Sequence, residues 1–262
     1  MTSATDQPTA QLPGEVRMPM LGFGTWQITG RKAYEAVREA LDVGYRHLDT
    51  ATMYGNEDEV GRALRDSGVP REDVFVTTKL PPEQAGRERE TIAASLAALD
   101  TGYVDLWLIH WPPGDDRASI ATWRELLAVR DEGLARTVGV SNYDTLELDM
   151  LIEATEEAPA VNQVRWGPAL HDPGRLAENQ ERGVVLEGYS PLKTTDLRDP
   201  VLVEIARAHG ATPSQVVLRW HIDHGIVAIP KSVTPSRIRE NFDIFGFSLS
   251  DAELRQLDAM GR

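Results

Sequence analysis

The sequence predicts an α/β protein: a (β/α)8 or TIM barrel with a short N-terminal hairpin and an extra C-terminal helix. Short β-branched runs alternate eight times with amphipathic stretches, a pattern typical of βα units around a parallel sheet. A chain of 262 residues suits one such barrel, and no linker, low-complexity run or short repeat interrupts it. We therefore expect a single domain over residues 1–262, with about residues 1–11 disordered.

The strand candidates are short hydrophobic runs. They occupy residues 21–25, 45–49, 74–79, 104–110, 137–141, 160–164, 184–189 and 226–229. Before the first of them, the Pro13-Gly14 pair predicts the turn of a hairpin that caps the N-terminal mouth of the barrel. The glycines at 22 and 24 lack the third glycine of a dinucleotide-binding fingerprint, which argues against a doubly wound sheet.

Two helices have readable starts. Asn56 is a candidate N-cap followed by three acidic residues, which suit the positive end of a helix dipole. Thr234 precedes a proline at the first helical position of another helix. Residues 250–260 predict the extra terminal helix.

Composition excludes several classes of function. The chain has no cysteine, so disulfides, thiolate catalysis and thiolate metal sites are excluded. Its net charge of -14 argues against a nucleic acid or an anionic membrane as partner. The start is polar without a signal-peptide pattern, and no apolar stretch approaches membrane-spanning length. We expect a cytoplasmic monomer that acts on a small molecule and binds neither nucleic acid nor membrane.

Lysine is scarce in this chain, with four lysines against twenty-three arginines, yet two of the four end hydrophobic strands. These two are Lys79 and Lys231. A lysine at a strand end can be a solvated cap, but it can also supply a compact, tunable ammonium. Catalytic groups in a barrel lie at the carboxyl ends of the strands, so the other residues there are candidates for a functional site. They are unusually polar: Thr25, Trp26, Asp49, Tyr54, His110, Trp111, Ser141, Asn142, Gln163, Tyr189, Ser190 and Ser232.

Four of these residues predict a proton-transfer site. A free tyrosine is a poor acid near neutral pH, and an adjacent Lys79 ammonium would lower the pKa of Tyr54. Asp49 would pair with Lys79 and orient it, and His110 would hydrogen-bond a substrate oxygen. Each residue also has a plain structural interpretation, His110 as a packed histidine and Tyr54 as a loop aromatic.

Three longer motifs resemble the aldo-keto reductases. They are Gly44-Tyr45-Arg46-His47-Leu48-Asp49-Thr50-Ala51 with Tyr54-Gly55-Asn56-Glu57, then Leu108-Ile109-His110-Trp111-Pro112, and Ile229-Pro230-Lys231-Ser232 through Arg237 to Glu240-Asn241. Shorter motifs at 139–142, 161–163 and 189–192 fall between them. The resemblance extends from about residue 18 to residue 241, and it is strongest to the bacterial branch of diketogluconate reductases and broad aldehyde reductases.

The resemblance implies NADPH-dependent reduction of a carbonyl compound, with Tyr54 as general acid in a tetrad with Asp49, Lys79 and His110. It implies a cofactor site made of Gly24, Thr25, Asp49, Ser141, Asn142, Gln163, Tyr189, Ser190, Leu192, Lys231, Ser232, Thr234, Arg237, Glu240 and Asn241. The substrate site implied is Trp26, Tyr54, His110 and Trp111. Keto-sugars, ketoacids, dicarbonyls and aromatic aldehydes are all expected substrates.

The sequence departs from this family in two places. Arg165-Trp166-Gly167-Pro168 stands where relatives carry an acidic residue and a histidine before the proline. The chain also ends soon after its last helix, so we expect an open, permissive pocket. Two alternatives stay open: a non-catalytic regulatory protein that binds the cofactor, and a metal-dependent hydrolase. His221 and His224 have helical spacing, but no carboxylate motif completes a metal site, and none is expected.

Overall fold

The barrel consists of eight parallel strands whose spatial order follows the chain. The computed structural model describes residues 7–261. The barrel strands are β3 (Phe23–Gly24), β4 (His47–Asp49), β5 (Phe75–Leu80), β6 (Val104–Ile109), β7 (Ala135–Ser141), β8 (Val161–Arg165), β9 (Val185–Tyr189) and β10 (Val227–Ile229). A parallel bridge joins Leu21, just before β3, to Ala228 on β10. The predicted (β/α)8 fold is confirmed.

The N-terminal hairpin is also present. Its strands are β1 (Thr9–Leu12) and β2 (Val16–Pro19), and they pair antiparallel around a turn in which Gly14 has φ 72°. The carbonyl of Pro19 lies 3.2 Å from Nδ1 of His47, the first residue of β4, so the hairpin covers the amino ends of the strands. The expected disorder of residues 1–11 is wrong for residues 9–11, because these pair with β2; residues 1–6 lie outside the described residues.

Ten helices are found within residues 7–261. They are α1 (Arg31–Val43), α2 (Glu57–Ser67), α3 (Glu88–Leu99), α4 (Asp116–Asp131), α5 (Thr145–Thr155), α6 (Pro173–Glu181), α7 (Pro200–Ala208), α8 (Pro213–Asp223), α9 (Pro235–Phe242) and α10 (Asp251–Asp258). The last is the predicted extra helix, and Ser250 forms a capping box with Glu253 at its start. No helix in the described part of the chain is long and apolar enough to cross a membrane.

Asn56 precedes α2 as predicted, but its side chain does not cap the helix. Its amide nitrogen donates to the carbonyl oxygens of Thr25 at 3.0 Å and Ile28 at 2.8 Å, and its oxygen accepts from the hydroxyl of Thr50 at 2.7 Å. Asn56 therefore ties the loop after β3 to the loop after β4. Thr234 before α9 likewise makes no side-chain cap.

The core lies between the strands and the surrounding helices. Trp107, Trp123 and Trp220 are fully buried in it, as expected for packing residues. The barrel interior is different, because polar side chains from several strands are buried there: His47, Asp49, Thr77, Lys79, Gln163 and Glu187. Buried polar groups are costly unless they are hydrogen-bonded, so this interior is held together by specific contacts.

Candidate active site

The carboxyl ends of the strands surround a cavity of about 370 Å³. Most residues that the sequence predicts for the site line this cavity: Gly24, Trp26, Asp49, Tyr54, His110, Trp111, Ser141, Asn142, Gln163, Tyr189, Ser190, Leu192 and Lys231. The lining does not include Thr25, Lys79, Ser232, Thr234, Arg237, Glu240 or Asn241. The structure thus brings side chains from seven of the eight barrel strands, or the loops after them, to one place.

Lys79 is fully buried near the end of β5 and pairs with Asp49 on β4. Its Nζ lies 2.8 Å from Oδ1 and 2.7 Å from Oδ2 of Asp49, and it donates to the carbonyl oxygen of Thr50 at 2.9 Å. Burial lowers the pKa of Lys79, but Asp49 and other nearby groups outweigh burial, so the net shift is upward. Lys79 is therefore an ammonium held below the cavity and not a solvated cap.

Tyr54 ends a short helical turn after β4, with Gly55 in the left-handed region behind it. The hydroxyl of Thr52 in this turn donates to the carbonyl of Lys79 at 2.9 Å, which fixes the turn against β5. The Lys79 Nζ lies 5.2 Å from the centre of the Tyr54 ring. Burial raises the pKa of Tyr54, and the Lys79 ammonium lowers it, but burial is the larger effect. The expected net lowering is therefore wrong, and Tyr54 stays protonated near neutral pH.

His110 faces Tyr54 across the cavity floor. The two ring centres are 5.7 Å apart at an interplanar angle of 72°. Burial, and next the Lys79 ammonium, lowers the pKa of His110 to about 3. The imidazole is therefore neutral and has one N–H to donate. Its Nδ1 is buried without a hydrogen-bond partner among the described residues, so the ring is held by packing.

Asn142 and Tyr189 form one wall of the cavity. The Asn142 amide nitrogen donates to the His110 carbonyl at 3.1 Å, and its oxygen accepts from the Tyr189 hydroxyl at 3.0 Å. Tyr189 is half-buried and leaves part of its ring toward the cavity. Asn142 has φ 65° and Ser190 has φ 54°, both in the left-handed region. Such backbone costs energy for residues other than glycine and clusters at functional sites.

Gln163 links the cavity wall to the buried acids. Its Nε2 donates to Asp49 Oδ2 and to Glu187 Oε2, both at 2.8 Å, and its backbone carbonyl accepts from the Ser141 hydroxyl at 2.7 Å. Sequence reasoning missed Glu187. The available signal was its position two residues before Tyr189 on a hydrophobic strand, because alternate residues of a strand face the same side.

A second group of predicted residues lies beside the cavity, around the start of α9. Lys231 and Arg237 are exposed, and neither has a carboxylate within ion-pair distance among the described residues. By contrast, Arg239 on the same helix pairs with Glu39 at 2.7 Å. The free cations of this group form a local basic patch on an acidic protein.

The remaining predicted residues make contacts within the protein. The Thr25 hydroxyl is buried and donates to the carbonyl at the end of β4 at 3.0 Å. Ser232 accepts a hydrogen bond from the backbone nitrogen of Thr234 at 3.1 Å. Glu240 accepts from the threonine at the start of α8 at 2.8 Å, and Asn241 is buried. Thr25 and Glu240 therefore support the shape of the site, and their side chains are already hydrogen-bonded.

The mouth of the cavity contains a cation that the sequence analysis missed. Lys193, in the turn after β9, is exposed and lines the cavity. Its Nζ lies 5.2 Å from the ring centre of Trp26. Trp26 and Trp111 are both about half exposed, at 47% and 46%. Three of the four lysines, counting Lys79 below the floor, are therefore at this one site.

Comparisons with known proteins agree on one family. The profile of the Aldo/keto reductase family matches residues 20–262. The chain is 42% identical to the morphine 6-dehydrogenase of Pseudomonas putida, across 98% of this chain and 92% of that protein. It is 41% identical to the methylglyoxal reductase DkgA of Yersinia pestis, across 95% of this chain and 91% of that protein. A crystal structure of an aldo/keto reductase from Brucella melitensis matches with a TM-score of 0.94 and 41% identity, covering 97% of this chain and 99% of that chain.

Proposed function

The chain belongs to the aldo/keto reductase family of NAD(P)-dependent oxidoreductases, and on this premise we propose that it reduces aldehydes or ketones to alcohols with NADPH. The observation that carries the proposal is the arrangement of Tyr54 and His110 above the buried Lys79–Asp49 pair. We infer substrates among keto-sugars, ketoacids, dicarbonyls and aromatic aldehydes.

The residues present fit a nicotinamide cofactor. Tyr189 offers an aromatic face, and beside it Ser141, Asn142 and Gln163 offer polar groups for a carboxamide. Lys231 and Arg237 carry unpaired charge for phosphate groups. When bound, the reduced nicotinamide supplies the hydride.

The protein side chains supply the proton and hold the developing charge. The neutral His110 donates its N–H to the carbonyl oxygen of the substrate and fixes its position. Tyr54 gives its proton to that oxygen as negative charge builds on it, because an alkoxide is a much stronger base than a phenolate. Lys79 stabilises the phenolate that remains, and Asp49 keeps Lys79 charged and oriented. Tyr54 must be protonated before this step, which is consistent with its raised pKa.

The test is a fluorescence titration with NADPH and NADH, followed by addition of dicarbonyls, ketoacids and aldehydes to the same sample. Loss of the reduced-cofactor absorbance with NADPH would support the reductase. Binding without turnover of any compound would favour the non-catalytic cofactor-binding protein. Absence of NADPH binding would contradict the proposed cofactor site.

We expect Arg237→Ala to weaken NADPH binding while it leaves NADH binding nearly unchanged. The unpaired guanidinium is suited to the phosphate that NADPH has and NADH lacks. The dissociation constant for NADPH should rise about tenfold, which equals about 1.4 kcal/mol. Arg239→Ala is the matched control, because Arg239 is already paired with Glu39. Equal weakening of both cofactors by Arg237→Ala would contradict the assignment.

We also expect Lys193 to favour substrates that carry a carboxylate. Its ammonium lies at the cavity mouth without an ion-pair partner among the described residues. Lys193→Met should raise KM for a 2-ketoacid roughly fivefold, corresponding to about 1 kcal/mol for an exposed charge, and change KM for its methyl ester little. Lys32→Met on α1 is the control. A rise in the dissociation constant of NADPH instead would place Lys193 at the cofactor.

A further inference from the structure

Glu187 is a fully buried carboxyl that the reaction described above does not use. It lies on β9, inside the barrel and below the cavity. Its Oε2 accepts a hydrogen bond from Gln163 Nε2 at 2.8 Å, and the same nitrogen donates to Asp49 Oδ2 at 2.8 Å. One amide nitrogen thus joins a carboxyl of the tetrad to a carboxyl outside it. A buried acid in such a place requires an explanation, because burial penalises a charged carboxylate.

The charges around Glu187 do not balance if both acids are ionised. Lys79 is the one charged cation that faces them among the described residues, and its Nζ contacts both oxygens of Asp49. The nearby His47 does not help, because burial lowers its pKa to about 4 and keeps it neutral. Burial, and next the Asp49 carboxylate, raises the pKa of Glu187 to about 8. Asp49 is therefore the ionised partner of Lys79, and Glu187 holds a proton at neutral pH.

The hydrogen bonds of a neutral His47 agree with a protonated Glu187. Its Nδ1 lies 3.2 Å from the Pro19 carbonyl, which can only accept, so the single N–H of the neutral ring is on Nδ1. Its Nε2 then carries a lone pair, which accepts from the Thr77 hydroxyl at 3.1 Å. This Nε2 faces Glu187 Oε1 at 3.7 Å, and Oε1 has no other partner among the described residues. The lone pair of Nε2 is taken by the Thr77 hydroxyl and the ring proton is on Nδ1, so an ionised Oε1 would have no hydrogen-bond donor among the described residues.

We propose that Glu187, in its neutral form, is a positioning residue for Gln163 and for the Lys79–Asp49 pair. It accepts from the Gln163 nitrogen and so turns the other end of that amide, the oxygen Oε1, toward the cavity. There the oxygen can accept from an N–H of the cofactor carboxamide. Being neutral, Glu187 also leaves Lys79 with a single counter-charge, so more of the ammonium's field reaches Tyr54. This inference rests on the proposed function.

The first test is the pH profile of reduction. When Glu187 ionises above about pH 8, its charge offsets part of the Lys79 field at Tyr54, so kcat/KM falls. Glu187→Gln keeps the shape and the acceptor oxygen but cannot ionise, so the alkaline limb should move up by roughly one pH unit. Glu57→Gln is the matched control, because Glu57 is also buried with a raised pKa but binds Thr78 and Ser95 outside the cavity. In that control, kcat/KM should fall at the same alkaline pH as in the wild type. If kcat/KM of Glu187→Gln also fell at the wild-type pH, the proposal would be overturned.

The second test does not need turnover. The infrared spectrum of the folded protein at pH 7 should show the carbonyl stretch of a protonated carboxylic acid that disappears in Glu187→Gln and remains in Glu57→Gln. Glu187→Leu, which cannot accept from Gln163, should raise the dissociation constant of NADPH about tenfold, and Glu187→Gln should raise it much less. Absence of the band, or equal weakening by both variants, would overturn the proposal. If the wild type reduces no carbonyl compound, the proposed function fails, while these two readouts still test Glu187.

Discussion

Tyr54→Phe is expected to lower kcat for carbonyl reduction about 1,000-fold and to change the dissociation constant of NADPH less than about twofold. General acid catalysis typically contributes 100- to 10,000-fold. The other phenol that lines the cavity, Tyr189, already donates its hydroxyl proton to Asn142, and the carboxyl of Asp49 is paired with Lys79, so neither replaces the acid. Binding should survive, because the ring remains and the lost hydroxyl is not among the groups proposed for the cofactor. Steady-state kinetics with NADPH and a dicarbonyl, together with fluorescence titration, measure both quantities.

Tyr34→Phe is the control for Tyr54→Phe. Tyr34 lies on α1 and donates to Asp66 at the surface, so its loss should leave kcat unchanged. If Tyr54→Phe kept more than a tenth of the wild-type kcat, another group would be the acid, and the role given to Tyr54 would be wrong.

Lys79→Arg should lower kcat nearly as much as Tyr54→Phe does, although it preserves the positive charge. Lys79 is fully buried, and its Nζ already makes three contacts at 2.7 to 2.9 Å. A planar guanidinium is larger and cannot place one compact charge at that point. We expect kcat to fall at least about 100-fold, and overpacking to cost about 1–3 kcal/mol of the free energy of unfolding. Kinetics and urea unfolding measure the two effects.

Lys79→Met separates charge from bulk. It removes the ammonium and leaves the Asp49 carboxylate buried without its partner, which should cost about 3–5 kcal/mol of the free energy of unfolding.

Lys32→Arg on the exposed face of α1 is the control for Lys79→Arg. Wild-type kcat in Lys79→Arg would show that a positive charge anywhere in this region suffices, against the geometry described here.

Local patterns were sufficient to predict the barrel. Each strand candidate is a short hydrophobic run, and the structure places a strand within or overlapping each of them. The meeting of Asp49, Lys79, Tyr54 and His110 also followed from sequence, because parallel strands in a barrel bring their carboxyl ends together. The order of strands along the chain decides which strand ends are neighbours in the barrel, and that order can be read from the sequence.

The features that the sequence did not predict depend on burial and on long-range contacts. The pKa of Tyr54 is raised because burial outweighs the nearby Lys79, and depth of burial cannot be read from a motif. Asn56 has the residue type of an N-cap, but its partners after β3 compete successfully for its side chain. Glu187 was missed because its contact with Gln163, at 2.8 Å, depends on a neighbouring strand.

The measurement that tests the central claim most directly is isotope transfer during reduction. The protein is mixed with a dicarbonyl or an aldehyde and with NADPH that carries deuterium at both C4 positions of the nicotinamide, and the product alcohol is analysed by mass spectrometry. Hydride transfer predicts one deuterium on the carbon that was the carbonyl carbon, and in ordinary water the hydroxyl proton comes through Tyr54. An alcohol without deuterium, or no alcohol from any compound of the panel, would contradict the assignment as an NADPH-dependent carbonyl reductase.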